Sequence, residues 1–268
     1  MALVLVPTPV GNLDDITRRA VETLQKVDFI IAEDTRHSRK LLSHLGISKP
    51  LVSCFGPREE RQAEKIVPML KEKTGALLTD SGSPGISDPG TALVRKALNA
   101  GIEVTALPGP TAFVPALTAS GIPADRFLFL GFPPRKTGDL RTFLESLQPL
   151  PFTLIFYESP RRLLAFLDQC ASVFGDREFA VIREISKIHE HWLRGRLLLY
   201  SEIITEEILR GELVVIVAGN IAPQRGQPSQ LQMKTLDDLF VYFHNHHNLS
   251  KNQVKRIIMN KPGPRRTR

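Results

Sequence analysis

ALLTDSGSPGISDPGTALVRKALNAGIEVTAL, residues 76–107, decides the fold. Ala76–Thr79 is a short apolar run that reads as a buried strand. A loop rich in Gly, Pro and Ser follows, from Asp80 to Gly90. Asp88-Pro89 pairs an N-cap residue with a proline at the first helical position, so a helix is expected to about Ala100, with Gly101 as its stop. Ile102–Leu107 is then the next strand. Strand, helix and strand at this spacing form one unit of a parallel sheet.

The same rhythm extends toward the N-terminus. Leu3–Val6, Phe29–Ala32 and Leu51–Phe55 read as strands. Between them, Asp14 or Asp15 opens a helix striped by Ile16, Ala20, Leu24 and Val27, and Arg36–Leu45 is helical up to Gly46. Glu59–Lys73 is a charged helix. Beyond residue 107 the rhythm changes. Thr111–Ser120, Asp139–Leu147, the stretch from Ser159-Pro160 to Gly175, and Leu198–Leu209 read as helices. Phe127–Gly131, Phe152–Tyr157, Phe179–Glu184, the segment around Trp192 and Leu213–Ala218 read as strands of a mixed sheet. The expected fold class is therefore α/β: two α/β domains, residues 1–113 and 118–220, with a cleft between them. Residues 221–268 are expected to be a Pro/Gln-rich linker and a small basic helical tail.

Composition narrows the function classes. The 268 residues are 42% hydrophobic and 24% charged, an ordinary globular mix. No apolar run approaches the roughly 18 residues of a spanning helix. The apolar N-terminus is broken by Pro7 and lacks a preceding basic region, so it reads as a strand and not a secretion signal. Two cysteines make neither a disulfide framework nor a zinc site, and the cytoplasm is the expected compartment. The formal charge of +7 is confined to residues 221–268, while residues 1–220 carry equal numbers of acidic and basic side chains. A local basic appendage suits a polyanion such as RNA, and suits a solvated tail about equally.

Three loops follow strands and are built from Gly, Pro and small polar residues: residues 7–12, 80–90 and 108–112. Ligands of open α/β sheets bind at such strand ends, so convergence of the three points to a crevice. Neither the dinucleotide fingerprint nor a Walker-type phosphate loop is present. Glu33–His37, Phe156–Arg162 and Arg183–Glu190 concentrate charge beside apolar runs, each readable as a site or as a salt-bridged surface. His244, His246 and His247 lack partners spaced for a metal and read as a polar helix face.

Six motifs occur in order: VPTPVGNLDDIT (6–17), AEDTRHSRKLL (32–42), TDSGSPGISDPG (79–90), PGPTA (108–112), FYESPRRL (156–163) and REISKIHEHWLRG (183–195). Together they make the chain similar to the tetrapyrrole methylase superfamily over residues 3–220. Within it, the chain resembles the members that methylate ribosomal RNA. That resemblance implies S-adenosylmethionine, no metal, and usually a homodimer. By position it implies cofactor contacts at Pro9, Asp80, Ser83, Ile86, Thr111, Ala112, Glu158, Ile185 and Leu213. It implies as acceptor a cytidine 2′-hydroxyl in the decoding region of 16S rRNA, with the small ribosomal subunit as partner.

A ribose hydroxyl needs a base or a nearby cation to become a good nucleophile. Asp34, Glu184 and Glu190 are candidate bases, and Arg36 and Lys187 candidate stabilisers of the developing alkoxide. Arg161, Arg162, Arg194, Lys251, Lys255 and Arg256 are candidate RNA contacts. The segment Ser53–Glu60 departs from the His/Glu/Asn-rich pattern frequent in the family, so no side-chain role transfers to it. Two alternatives remain open at this level: a methylase acting on a tetrapyrrole, and a ribosome assembly factor without catalysis.

Overall fold

The computed structural model describes residues 1–54 and 59–220. Its first half is a five-stranded sheet in the order β3-β2-β4-β1-β5, formed by β1 (Ala2–Leu5), β2 (Phe29–Ala32), β3 (Leu51–Ser53), β4 (Gly75–Leu78) and β5 (Glu103–Ala106). Every pairing is parallel. Helices α1 (Arg18–Lys26) and α2 (Thr35–His44) place Ala20, Leu24 and Leu42 against Ile30, Ala76 and Leu78. Helices α3 (Glu59–Glu72) and α4 (Thr91–Asn99) place Ile66, Leu70 and Leu93 against Leu3, Phe29, Ile31 and Leu77 on the opposite face. With both faces covered, every residue of β2 and β4 is buried, and their sequences run apolar without alternation.

From β1 the chain winds toward β2 and β3, then returns across the other face to β4 and β5. The neighbours β1 and β4 thus feed helices on opposite faces. The gap at their carboxyl ends is the switch point where open α/β sheets hold ligands.

The second half is a mixed sheet in the order β6-β7-β10-β8-β9, from β6 (Phe127–Gly131), β7 (Thr153–Glu158), β8 (Glu178–Arg183), β9 (His191–Arg196) and β10 (Leu213–Val217). Only β6 and β7 are parallel. Helices α6 (Thr137–Leu147) and α7 (Pro160–Phe174) cover one face through Leu144, Leu163 and Phe166. The other face is covered by α5 (Phe113–Ser120), and Val10 and Ala112 from the first half pack into the same cluster. One apolar core therefore runs across the junction of the halves.

Several local expectations are corrected. No helix opens at Asp14 or Asp15. A single 3-10 turn spans Leu13–Asp15, with Asn12 accepting from the Asp14 N–H, and Thr17 caps α1 by accepting from Ala20. Asp88 does not cap α4. Gly90 is the N-cap residue at φ +135°, and Glu59 Oε1 accepts from Gly90, Ala92 and Leu93 at 3.0, 2.8 and 3.1 Å. A carboxylate brought from α3 supplies the anion that a helix N-terminus favours, releasing Asp88 for other surroundings. The helix expected at Leu198–Leu209 shrinks to a 3-10 turn and the one-turn α8 (Tyr200–Ile203). Ile203, Ile204 and Thr205 are β-branched in succession, which weakens helix propagation. The tail 221–268, with Lys251, Lys255, Arg256 and the three histidines, lies outside the described residues, as do residues 55–58 of the divergent segment.

Candidate active site

The three glycine- and proline-rich loops meet at the switch point. Thr8 and Gly82 exchange backbone hydrogen bonds at 2.9 and 3.0 Å, and Thr8 Oγ1 donates to the Thr79 carbonyl at 3.1 Å. Ser83 Oγ donates to the Pro110 carbonyl at 2.9 Å, tying in the third loop. The second half closes over them. A Cβ on Gly11 would lie 2.4 Å from Lys187 Cγ and 2.8 Å from the Ile185 carbonyl oxygen, so only glycine permits this approach.

A cavity of about 360 Å³ lies between the halves. That is within the range of roughly 300–1,000 Å³ for small-molecule sites. Ser83, Ile86, Thr111 and Ala112 line it from the first half, and Glu158, Ile185 and Leu213 from the second. Pro9 and Asp80 stand one residue outside, next to the lining residues Val10 and Ser81. Asp80 Oδ1 instead accepts from the Asp34 N–H at 3.3 Å.

The walls also contain residues outside the expected cofactor contacts: Asp88, Phe132, Tyr157 and Glu212. Asp88 read as a helix cap, and a single Glu before a strand carries no signal. Phe132 had one available signal, an aromatic directly after a strand within GFPPRK (131–136).

Carboxylates dominate the electrostatics. Burial, then the charges of Glu33, Asp80 and Glu212, push the Asp88 carboxyl up to about 6. Burial and Asp80 raise Glu33 in the same direction. Glu158 is 2% exposed. Its Oε1 accepts from the Ser159 N–H at 2.7 Å. Its Oε2 lies 3.4 Å from Arg162 but accepts no hydrogen bond. Burial raises its pKa, outweighing the Ser159 hydrogen bonds and the Arg162 charge, which lower it. The Arg162 guanidinium also donates to the Pro134 carbonyl at 2.6 Å. Burial also pushes the Tyr157 phenol up to about 12. An acidic cavity with an orphaned buried acceptor suits a cationic, hydrogen-bond-donating ligand.

Beside the cavity, Lys187 Nζ sits between Glu184 Oε1 at 3.0 Å and Glu212 Oε2 at 2.9 Å. Burial opposes its charge, but the bonds to Glu212 and Glu184 outweigh burial and hold its pKa above the usual value. Burial likewise opposes the charge on Glu184, and the Glu212 N–H and Lys187 more than reverse it. Glu190 accepts from the Ser186 N–H and from Trp192 Nε1, both at 2.6 Å. Glu184 and Ser186 have φ of +50° and +64°, strained for non-glycine residues and concentrated on this one loop. The other candidate pair stands apart. Asp34 caps α2 and is held by Arg36 at 2.9 Å, and that hydrogen bond lowers its carboxyl to about 2.

Of the arginines expected to reach RNA, Arg161 is exposed. Arg162 points inward at Glu158 and Pro134. Arg194 fastens α5, donating to the Ala119 and Ser120 carbonyls at 2.7 and 3.2 Å, and lies 4.8 Å over the Trp192 ring. Among the described residues, no helix is long and apolar enough to cross a membrane.

Comparison with known proteins agrees with this geometry. Residues 2–198 match the family model described as Tetrapyrrole (Corrin/Porphyrin) Methylases. The chain is 40% identical to "Ribosomal RNA small subunit methyltransferase I" of Halalkalibacterium halodurans, over 98% of this chain and 92% of that one. It is 44% identical to the protein of the same name from Escherichia coli O157:H7, covering 85% and 81% of the two chains. Among solved structures, the methyltransferase CobJ superposes with a TM-score of 0.61 at 20% identity, covering 82% of this chain and 94% of that one. Diphthine synthase gives 0.60 at 13% identity, covering 81% and 90%. At such identities these two show the fold alone. The family match, spanning most of the chain, and the relatives at 40% identity and above place this protein in the tetrapyrrole methylase family.

Proposed function

We propose that the chain transfers a methyl group from S-adenosylmethionine to the ribose 2′-hydroxyl of a cytidine in the decoding region of 16S rRNA, on the assembled small subunit. The observation that carries this reading is the acidic cavity at the switch point, walled by both halves, with Glu158 Oε2 left without a hydrogen-bond donor. S-adenosylmethionine supplies a methyl group made electrophilic by a positively charged sulfur. The residues present fit such a group. Asp88 and Glu212 offer negative charge to its cationic centres and acceptors to its amine donors. Ile86, Ile185, Leu213 and Val214 provide apolar wall that excludes water.

In-line displacement asks the protein chiefly to align hydroxyl, methyl and sulfur. The stitched loops 8–11, 80–90 and 108–112 give that alignment a rigid seat. Lys187, kept protonated by Glu184 and Glu212 beside the cavity, would stabilise the developing alkoxide. Glu184 and Glu190 retain free lone pairs for the departing proton. Asp34, held at about 2 by Arg36, is the weaker base. Arg161 and the basic residues of 221–268, Lys251, Lys255 and Arg256 among them, would contact phosphates. The reading includes a homodimer, on family grounds.

The test uses radiolabelled S-adenosylmethionine, the purified full chain and small subunits from cells lacking this gene. New label is mapped by its resistance to alkaline cleavage. Label at one cytidine 2′-oxygen is expected. Label on a uroporphyrinogen-type tetrapyrrole and none on RNA would overturn the reading. Cofactor binding with no transfer to either acceptor would also overturn it, leaving an assembly factor.

A further inference from the structure

Phe132 combines features that an incidental surface aromatic lacks. The residue is 63% exposed, yet it lines the cavity. Isolated exposed apolar residues are common and need no explanation. This one is held rigidly in place. Gly131 at φ +60° turns the chain out of β6, and a Cβ there would press on Ser87 Oγ at 3.2 Å. Pro133 is buried, and the Pro133 and Pro134 carbonyls accept from Arg162 at 3.5 and 2.6 Å. Arg162 is in turn paired with the buried Glu158. The Phe132 ring meets Tyr157 edge-on at 5.7 Å, and Tyr157 meets Phe129 edge-on at 5.0 Å. Phe132 is thus exposed beside the cavity while its ring touches Tyr157. Exposed cations stand near it in the chain: Arg135 and Lys136 on the same loop, and Arg161 next to the Arg162 that bonds this loop.

An exposed aromatic on a braced loop that also carries cations is the composition that holds unstacked nucleotides, the ring under the base and the cations on its phosphates. We infer that Phe132 is the stacking platform for the base of the acceptor nucleotide, or of its immediate neighbour, turned out of the RNA to bring a ribose hydroxyl to the cavity mouth. The inference rests on the RNA reading of this site. Phe132 is a positioning residue: it sets where the ribose stands and does no chemistry.

The experiment measures methylation kinetics on small subunits and S-adenosylmethionine affinity for the full-length parent, Phe132→Ala and Phe132→Trp. Phe132→Ala is expected to lower kcat/KM for subunits by roughly tenfold to a hundredfold, and cofactor affinity by a clearly smaller factor, since the ring also borders the cavity. Phe132→Trp, which keeps a π-face, is expected to restore kcat/KM, an outcome that a merely structural role would not give. Cofactor affinity that falls in parallel with kcat/KM in Phe132→Ala would assign the ring to the cofactor and overturn the inference. Unchanged kcat/KM in Phe132→Ala would overturn it as well, leaving the RNA reading intact. A parent enzyme that labels no subunit RNA would overturn both.

Discussion

The two halves build one cavity from different materials. The first half contributes mainly small loop residues, with Val10, Ile86 and Asp88 its larger side chains. Its loops carry Gly, Pro and Ser, and strand-like pairing between Thr8 and Gly82 fixes them. The second half contributes large side chains: Phe132, Tyr157, Glu158, Glu212 and, behind them, Lys187 and Arg162. An all-parallel sheet has the carboxyl ends of all its strands at one edge, so short loops can converge there without long reach. The mixed sheet presents alternating strand ends, Glu158 closing β7 beside Leu213 opening β10, and fills the remaining distance with side chains. The division suits a methyl-transfer site, where a rigid seat and adjustable charge serve different needs.

The largest expected effect comes from forcing the halves apart. In Gly11→Val the new atoms meet Lys187 Cγ and the Ile185 backbone, which cannot swing aside as a surface side chain would. Overpacking of this kind costs about 1–3 kcal/mol. The variant should melt several degrees lower and lose measurable cofactor binding, whereas a first half that binds independently would retain it. Next, Glu158→Ala removes the orphaned acceptor. A hydrogen bond to a charged group contributes about 1.5–3 kcal/mol. Cofactor affinity read by calorimetry should fall roughly tenfold to a hundredfold. Third, Glu59→Ala strips the carboxylate that three N–H groups of α4 share. Loss of a helix cap costs about 1–2 kcal/mol in chemical denaturation. Because α4 begins where the 80–90 loop ends, part of that loss should also appear in cofactor affinity.

The smallest effect is tied to pH. Folding raises the Asp88 pKa to about 6 from its ordinary 3.8. Stability that depends on its proton is therefore complete below the ordinary value and is lost as the pH rises through about 6. Asp88→Asn, neutral throughout, should melt above the parent at a pH of about 7.5 and match it at about 3.5. Cofactor binding should show the opposite trend. A cationic ligand favours ionised Asp88, so the parent should bind more tightly as the pH rises through about 6, and Asp88→Asn should lose that gain.

Legibility in the sequence follows the same division. The first half could be read almost strand by strand, because strands covered on both faces are continuous apolar runs, as in Phe29–Ala32, and helices end at residues such as Gly46 and Gly101. The converging loops were visible for a related reason: backbone that must turn tightly announces itself as Gly and Pro. What escaped depends on partners distant in the chain. Asp88 has the local look of a cap, yet Glu59 takes that work from 31 residues away in its bond to Gly90. Glu212 acquires its place only once β10 lies between β7 and β8. Arg162 and Arg194 look like phosphate contacts in sequence, and their bonds to the Pro134 and Ala119 carbonyls could not be seen there. The helix read at Leu198–Leu209 failed because its apolar spacing outweighed the β-branched run at 203–205 in the reading.

In this reading the two halves jointly assemble one S-adenosylmethionine site. Calorimetric titration of S-adenosylmethionine into the full chain, Glu158→Ala and Gly11→Val tests it most directly. The expected result is saturable binding of one molecule per chain, weakened by Glu158→Ala and abolished by Gly11→Val. Binding that both variants leave unchanged, or no binding to the parent chain, would contradict the claim.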